Sequence, residues 1–142
     1  MAAVKYSRQR ELIISYLHST TAHPTAETIF QQVREQCPSI SLGTVYRNLK
    51  QLENLGTIRR ITCGDGCEHF DGNVSPHYHL CCRSCGSVSD LKMPVLTELN
   101  LLASHYCDGT IERHSMLFHG LCAKCSGSAE KTQLPIDKKD NL

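Results

Sequence analysis

Two Cys-x-x-Cys pairs constrain the fold of this 142-residue chain more than any other feature. Cys82 and Cys85 form the first pair, and Gly86 follows it as in a zinc knuckle. Another 36 residues separate it from the second pair, Cys122 and Cys125. Four thiolates suit a closed tetrahedral Zn(II) site that leaves no position open for a substrate. We therefore predict one structural zinc per subunit, whose binding energy contributes to folding.

The histidines before the first pair are predicted to belong to a different site. The sequence HYHLCC (77–82) is typical of a β-strand, in which successive side chains point to opposite faces. His77 and His79 then share one face with Cys81, whereas Cys82 lies on the other. Two imidazoles need carboxylate partners to make an iron or manganese site. The nearest candidates are Asp71 and Asp90.

The first 55 residues carry the apolar spacing of three amphipathic helices, in steps of three and four. Thr25 and Ser41 are candidate N-caps of the second and third helices, and Gly56 is a candidate end for the third. Segments 57–62 and 67–71, joined by the turn GDG, are predicted to form a β-hairpin. Three helices followed by a hairpin predict a winged helix-turn-helix.

In a winged helix-turn-helix, the third helix enters the DNA major groove and the hairpin lies on the backbone. The apolar stripe of the third helix leaves Tyr46, Arg47 and Lys50 on the other side. Arg47 and Lys50 are then expected to reach bases and phosphates, and Tyr46 a thymine methyl. Arg59 and Arg60 lie near the wing and are expected to hold phosphates. The predicted DNA-contacting residues are Ser41, Thr44, Tyr46, Arg47, Lys50, Arg59 and Arg60.

The second half is predicted to be a small α/β unit, which makes the whole chain α+β. Residues 77–82, 87–91 and 109–122 have the character of strands, and Pro94 to about Tyr106 that of a helix. The polar and charged segment 127–142 is predicted to be disordered.

Charge is distributed unevenly. Residues 1–62 carry eight Lys or Arg and four Asp or Glu, a net +4, whereas residues 63–142 carry seven and ten, a net −3. The basic first half is a weak indication of nucleic-acid binding. No segment has the roughly 20 apolar residues of a membrane span, and the first ten residues lack a signal-peptide core. We therefore expect a cytoplasmic protein with no membrane partner.

The motifs AHPTAETIF, SLGTVYRNL, GDGCEHFD, HYHLCCRSCG and CAKC, in this order and spacing, resemble the ferric uptake regulator (Fur) family over roughly residues 6–126. The resemblance implies a homodimeric, metal-dependent repressor that binds a palindromic operator in double-stranded DNA. It divides the chain into a winged-helix domain (1–71), a hinge (72–76), a dimerisation and metal-binding domain (77–126) and the tail (127–142).

Within the family, the chain is most similar to the peroxide-sensing (PerR-type) repressors. The resemblance implies a regulatory Fe(II) or Mn(II), one per subunit, held by His23, Asp71, His77, His79 and Asp90. Iron-level sensors of the family usually carry glutamate at the two carboxylate positions, so aspartate at both favours peroxide sensing. Peroxide is then the only small molecule that reacts: with iron bound it oxidises His23 or His77, metal is lost and DNA is released.

Five further cysteines are interpreted as small buried hydrophobes: Cys37, Cys63, Cys67, Cys81 and Cys107. Cys81 is an exception because it faces the histidines, so we hypothesise a second oxidation target there. His69 lies two residues before Asp71 and is a candidate competing ligand. A further metal site is conceivable at His105, His114 and His119, although His119 next to Cys122 favours a structural role.

Four alternatives remain open. Two stay within the family, an iron-level repressor and a zinc- or manganese-responsive regulator. A metalloenzyme using the His/Asp site is a third, but the sequence has no lid, substrate-pocket signature or general base beyond the ligands. A zinc-ribbon adaptor that binds only protein is the fourth.

Overall fold

The computed structural model describes residues 7–64 and 66–127. The predicted α+β class is confirmed, with helices and two sheets along these ranges. The elements are α1 (Arg8–Ser19), α2 (Ala26–Val33), α3 (Leu42–Asn54), β1 (Arg59–Thr62), β2 (Glu68–Asp71), β3 (Tyr78–Cys82), β4 (Val88–Leu91), α4 (Glu98–Ser104), β5 (Leu117–Gly120) and α5 (Ala123–Ser126). None of the helices in these ranges has the length and apolarity needed to span a bilayer. The prediction for the tail, apart from Gly127, and for Asp65 of the hairpin turn falls outside the described residues.

Helices α1, α2 and α3 begin at capping side chains that satisfy backbone N–H groups of the first turn. Ser7, Thr25 and Ser41 accept from the third residue along, so both predicted caps are confirmed. Gly56 follows α3 with a φ of 74°, a left-handed conformation that glycine adopts without strain. The buried sides of the three helices form one apolar core around residues such as Ile13, Ile29 and Leu49.

The predicted hairpin is present: β1 and β2 pair antiparallel, with Arg59 opposite Asp71. Phe70 is buried in the helical core and joins the hairpin to it. The Phe70 backbone N–H also donates to the Pro24 carbonyl oxygen at 3.0 Å. The end of β2 is therefore fixed beside the loop between α1 and α2, where His23 and Asp71 approach each other.

The second sheet has the strand order β4-β3-β5, with β3 antiparallel to β4 and parallel to β5. Its register places His79 opposite Asp90. The predicted helix begins later than Pro94, because the Leu96 backbone N–H donates to the Tyr78 hydroxyl at 2.9 Å instead of joining a helix. The predicted 14-residue strand is also too long, since β5 extends only where it pairs with the short strand β3.

The interpretation of the further cysteines as small buried hydrophobes is wrong for Cys63, Cys67 and Cys107, whereas Cys81 is buried, with 3% exposed. Cys67 and Cys107 are exposed. Cys63 and Cys81 form a disulfide with their Cα atoms 5.9 Å apart, so Cys81 lies against the end of the hairpin. Cys37 is half-buried and packs against the helical core, as expected.

Candidate metal centres

Four cysteine sulfurs lie within 4.8 Å of one another: those of Cys82, Cys85, Cys122 and Cys125. The Sγ atoms of Cys85 and Cys122 are 3.7 Å apart. Sulfurs bound at about 2.3 Å to a tetrahedral zinc are about 3.8 Å from each other. The cluster therefore has the dimensions of a zinc site, and it joins the two predicted Cys-x-x-Cys pairs.

Two structural elements bring these cysteines together. Cys82 ends β3, and a turn closed by a hydrogen bond from the Gly86 N–H to the Cys82 carbonyl oxygen brings Cys85 back. Cys122 immediately precedes α5, which contains Cys125. The backbone N–H of Arg83 donates to the Gly120 carbonyl oxygen at 2.9 Å, which fixes the end of β5 against this turn.

The thiols of this cluster differ in acidity. The backbone N–H groups of Cys85 and Cys122 donate to the Cys82 sulfur and lower its pKa to about 6. The Ser84 hydroxyl lowers the pKa of Cys125, but the three neighbouring thiols outweigh it and raise that pKa to about 11. Adjacent thiolates repel one another, so four together require a cation. The donor set therefore fits a divalent soft metal such as zinc.

A second cluster contains His23, Asp71, His79 and Asp90, with one ligand atom of each within 4.8 Å of the others. His79 Nε2 lies 2.9 Å from Asp71 Oδ2 and 3.3 Å from Asp90 Oδ1. His23 Nε2 lies 2.7 Å from Asp90 Oδ1. Neighbouring ligands about 2.1 Å from an octahedral ion are about 3 Å apart. These separations suit a hard or borderline metal with nitrogen and oxygen ligands.

His77 adjoins the same cluster. Its Nε2 lies 2.9 Å from Asp71 Oδ2 and 3.0 Å from Asp90 Oδ1. The ring centroids of His77 and His79 are 4.4 Å apart, as expected for two residues on one face of β3. All five residues that the family resemblance implies are therefore brought together.

Hydrogen bonding fixes the tautomer of His77. Its Nδ1 lies 2.7 Å from the Ser75 carbonyl oxygen, which can only accept, so Nδ1 carries the proton. In the neutral ring, the Nε2 lone pair then faces the oxygens of Asp71 and Asp90. The nitrogen lone pair and those of the carboxylate oxygens 2.9 and 3.0 Å away repel each other unless a proton or a metal cation lies between them. A backbone carbonyl that orients the other ring nitrogen is also the usual environment of a metal-binding histidine.

Asp71 is the most enclosed carboxylate of the cluster, with 4% of its side chain exposed. Burial raises its pKa, but the hydrogen bonds with His79 and with the Asn73 backbone N–H, and the nearby His23 and His77, outweigh that effect. The resulting pKa is about 2. The carboxylate is therefore ionised at neutral pH and available as a metal ligand.

His23 is buried in an unusual backbone conformation, with a φ of 49°. Its Nδ1 is a buried atom without a hydrogen-bond partner and lies 3.6 Å from Asp71 Oδ1. The other ring nitrogen, Nε2, lies 2.7 Å from Asp90 Oδ1 and is the one placed to share a metal with His79. A non-glycine residue with positive φ costs energy and persists only where its surroundings hold it.

The structure directs His69 to the backbone of the His23 loop and places it outside the group of ligand atoms that contains Asp71. The Nδ1 of His69 lies 2.8 Å from the His23 carbonyl oxygen and donates to it, so the imidazole holds the backbone of the His23 loop in place. Sequence reasoning missed this supporting role because the partner is 46 residues away along the chain. In the sequence, the available signal was that His69 lies two residues before Asp71 in the same predicted strand.

The interpretation of His105, His114 and His119 as a further metal site is not supported. His114 hydrogen-bonds through one ring nitrogen to the Tyr78 hydroxyl and through the other to Asn100 Oδ1. His105 and His119 are exposed. Within residues 7–64 and 66–127, the groups suited to a metal are the cysteine cluster and the histidine–aspartate cluster.

The predicted DNA-contacting side chains lie mainly on the outer side of α3 and near the hairpin. Arg47 and Lys50 are exposed, and Arg47 donates to the Thr44 hydroxyl at 2.9 Å. Tyr46 is 42% exposed and its hydroxyl donates to Glu27. The Ser41 and Thr44 hydroxyls lie 2.9 Å apart at the start of α3.

The two arginines near the hairpin are engaged within the chain. Arg60 forms ion pairs with Glu53 and Glu68, at 2.8 and 2.9 Å. Arg59 donates to the Val74 carbonyl oxygen at 2.8 Å, which links β1 to the segment before β3. A phosphate would have to compete with these partners.

Known proteins are similar to this chain in sequence and in fold. The sequence model described as the ferric uptake regulator family matches residues 1–119. The chain is 38% identical to the peroxide-responsive repressor PerR of Staphylococcus aureus over 124 residues, which are 87% of this chain and 84% of that protein.

Two solved structures of regulators have a similar fold. The ferric uptake regulator of Helicobacter pylori, described as having three functional metal-binding sites, superposes with a TM-score of 0.76 at 25% identity, over 89% of this chain and 85% of that one. The peroxide stress regulator of Campylobacter jejuni gives a TM-score of 0.73 at 28% identity, over 82% and 88%. On the matching family model and the identity to PerR, the chain belongs to the ferric uptake regulator family.

Proposed function

We propose that the protein is a metal-dependent, homodimeric DNA-binding repressor that senses hydrogen peroxide. Zn(II) occupies the cysteine cluster and stabilises the fold. Fe(II) or Mn(II) occupies the histidine–aspartate cluster and regulates DNA binding. The similarity to peroxide-responsive repressors supports the regulatory signal.

The observation that carries this proposal is the arrangement around His77. Its Nδ1 proton is directed to the Ser75 carbonyl oxygen, which leaves Nε2 facing two carboxylates at 2.9 and 3.0 Å. Nε2 of His23 and of His79 also lie 2.7 to 3.3 Å from oxygens of the same two carboxylates. One divalent cation would neutralise both carboxylates and accept the nitrogen lone pairs. Without a metal, each histidine would have to be protonated separately to neutralise the same two charges.

The ligands come from both halves of the chain, which explains how the metal would regulate. His23 lies between α1 and α2, and Asp71 ends the hairpin, whereas His77, His79 and Asp90 lie at the second sheet. A metal held by all five fixes the first half against the second. In a dimer, this angle determines whether both α3 helices reach successive major grooves of a palindromic operator.

The ligand set also suits a peroxide response. His23, Asp71, His77, His79 and Asp90 would hold the metal. Asp90 is 31% exposed, so a molecule as small as peroxide could reach the cluster. Fe(II) held by these residues would supply electrons to hydrogen peroxide, whereas Mn(II) would not. His23 and His77 are the imidazoles proposed to gain an oxygen from peroxide. They would then bind metal more weakly, and loss of the metal would loosen the connection between the two halves.

Apolar surface on the second half supports a homodimer. Leu101, Leu102 and Tyr106 of the α4 region are 66%, 54% and 84% exposed, and Phe118 of β5 is 38% exposed. Large exposed apolar side chains grouped on one unit are typical of protein–protein interfaces. A second copy of the chain is the proposed partner, and the exposed side of α3 is the proposed DNA-binding surface.

Peptide mass spectrometry after a brief hydrogen peroxide pulse tests this function. The protein is loaded anaerobically with Fe(II), and a Mn(II)-loaded sample is the control. Binding is followed with duplexes selected from a random pool by the Mn(II)-loaded protein. We expect one added oxygen on His23 or His77 only with iron, in step with loss of DNA binding.

Two results would contradict peroxide sensing. Unmodified histidines, with DNA binding that still follows the Fe(II) concentration, would identify an iron-level repressor. Selection of no duplex by the Mn(II)-loaded protein would argue against a DNA-binding function.

A further inference from the structure

We propose that Cys63 and Cys81 form a redox-controlled clamp between the two halves of the chain, separate from both metal centres. The pair is oxidised to a disulfide by a peroxide and reduced by a dithiol. In the oxidised state it holds the hairpin against the second sheet and pre-organises the histidine–aspartate cluster.

The clamp connects two elements that the metal cluster also connects. Cys63 immediately follows β1 of the hairpin, and Cys81 lies in β3, the central strand of the second sheet. Their Cα atoms are 5.9 Å apart, within the range a disulfide requires. The bond closes the 18-residue span that contains Asp71 and the connection to β3.

The surroundings of the pair favour reversible formation. In the disulfide-bonded state, Cys81 is 3% exposed and Cys63 is half-buried, so Cys63 is the more accessible of the two to an oxidant. Ile61 and Val88 pack beside the two sulfurs in a small apolar cluster that includes residues of both halves. When the bond is reduced, this cluster still brings the thiols together, and the disulfide forms again without a large movement.

The position of the clamp connects it to the metal cluster. Cys81 lies two residues after His79 on the same strand face. A cleft of about 680 Å³ separates the halves nearby, with Ile61 on one side and His79 and Leu117 on the other. A covalent bond across this boundary reduces the relative motion of the proposed ligands. The protein therefore loses less conformational entropy when a metal binds. This effect on metal affinity rests on the proposed metal centre.

The oxidation balances with hydrogen peroxide as the sole oxidant. The Cys63 sulfur bonds to one peroxide oxygen and the O–O bond breaks. Cys63 becomes a sulfenic acid, and the other oxygen departs as water. The Cys81 sulfur then displaces the hydroxyl, which leaves as a second water. Two thiols lose two electrons and two protons, and one peroxide becomes two waters. A dithiol reverses the step and becomes a cyclic disulfide.

Disulfide mapping of the full chain loaded with Zn(II) and Mn(II) tests the pair, because Mn(II) excludes iron chemistry. Reduced protein is pulsed with hydrogen peroxide, alkylated and cut with a protease specific for glutamate, which separates Cys63 from Cys81 after Glu68. We expect a Cys63–Cys81 linked peptide that dithiothreitol removes. Cys63→Ser and Cys81→Ala should abolish it, whereas the matched control Cys67→Ser in the same hairpin should retain it.

A second measurement tests the coupling. Mn(II) affinity is compared between oxidised and reduced protein by competition with a chelating dye. We expect roughly five-fold or tighter binding in the oxidised form, at the low end of typical coupling between sites. Cys63→Ser should show no difference between the two conditions.

The outcomes separate the clamp from the proposed function. Absence of the linked peptide, or other cysteine pairs in its place, overturns the clamp even if Mn(II) binds normally. A linked peptide with equal Mn(II) affinity in both states overturns the coupling. Failure of Mn(II) to bind either form overturns the proposed metal centre, while the mapping still decides whether the cysteines pair.

Discussion

The Nδ1 of His69 donates a hydrogen bond to the carbonyl oxygen of His23 at 2.8 Å, across 46 residues of the chain. His69 lies in β2, two residues before Asp71, and is 7% exposed. Strand β2 thus supplies the proposed ligand Asp71. Two residues earlier it also supplies His69, which holds the loop that carries the proposed ligand His23. The support has a purpose because His23 has a positive φ that the surroundings must maintain.

Replacing His69 by leucine should weaken metal binding. The His23 carbonyl oxygen would be left buried without a donor, at a cost of roughly 1–3 kcal/mol in folding free energy. The loop should relax, and Mn(II) affinity should fall roughly ten-fold, as for other residues that orient metal ligands. Mn(II) titration with a competing chelator measures this effect.

His69→Asn is the matched control, because its side-chain amide keeps an N–H near the position of Nδ1. It should recover most of the affinity. Equal Mn(II) binding by the leucine and wild-type proteins would show that the His23 loop does not need this hydrogen bond.

The sequence was most informative where spacing and function coincide. Thr25 and Ser41 cap the second and third helices as predicted, and strand alternation correctly separated the histidine face of β3 from Cys82. Both signals are local, because they depend on residues a few positions apart. Strand alternation and nearness along the chain also suggested His77, His79, Asp71 and Asp90 as one site, whereas His23 followed from the family resemblance, since no periodicity relates it to Asp90.

The errors arose where distant contacts override local pattern. Cys63 resembles any small apolar residue in sequence, and only the approach of the hairpin to β3 gives it Cys81 as a partner. The helix predicted from Pro94 begins later because Tyr78, in another element, takes the Leu96 backbone N–H. Neither partner can be identified from neighbouring residues.

Removing one zinc ligand should destabilise the second half. In Cys122→Ser, the cluster loses the sulfur that lies 3.7 Å from Cys85, so a zinc ion would be left with three of its four thiolates. Because structural zinc binding is coupled to folding, we expect loss of zinc and a lower unfolding temperature. Elemental analysis and thermal unfolding provide the measurements, with the exposed Cys107 replaced by serine as control. One retained zinc per Cys122→Ser subunit would rule out this assignment.

Arg47 and Lys50 should contribute differently to DNA binding. Both are exposed on α3, so alanine at either position should leave the fold intact. Arg47→Ala should cost about 1–3 kcal/mol on the preferred duplex and reduce discrimination against others, as for a base contact. Lys50→Ala should weaken all duplexes similarly and reduce the salt slope by about one, as for a phosphate contact. Fluorescence anisotropy at several salt concentrations measures both, and unchanged binding by the two variants would place the DNA elsewhere.

Asp90→Glu should separate metal binding from peroxide sensing. Asp90 Oδ1 lies within 2.7, 3.0 and 3.3 Å of nitrogens on His23, His77 and His79, so this short carboxylate sets how closely the three rings converge. Because its side chain is 31% exposed, one added methylene can be accommodated toward solvent without disrupting β4. We expect metal-dependent DNA binding to persist while peroxide-driven oxidation of His23 or His77 slows. Peptide mass spectrometry of Fe(II)-loaded wild-type and Asp90→Glu proteins over the same peroxide time course compares the rates. Equal rates would show that carboxylate length does not tune the response, and the aspartate pair would then no longer favour peroxide sensing over iron-level sensing.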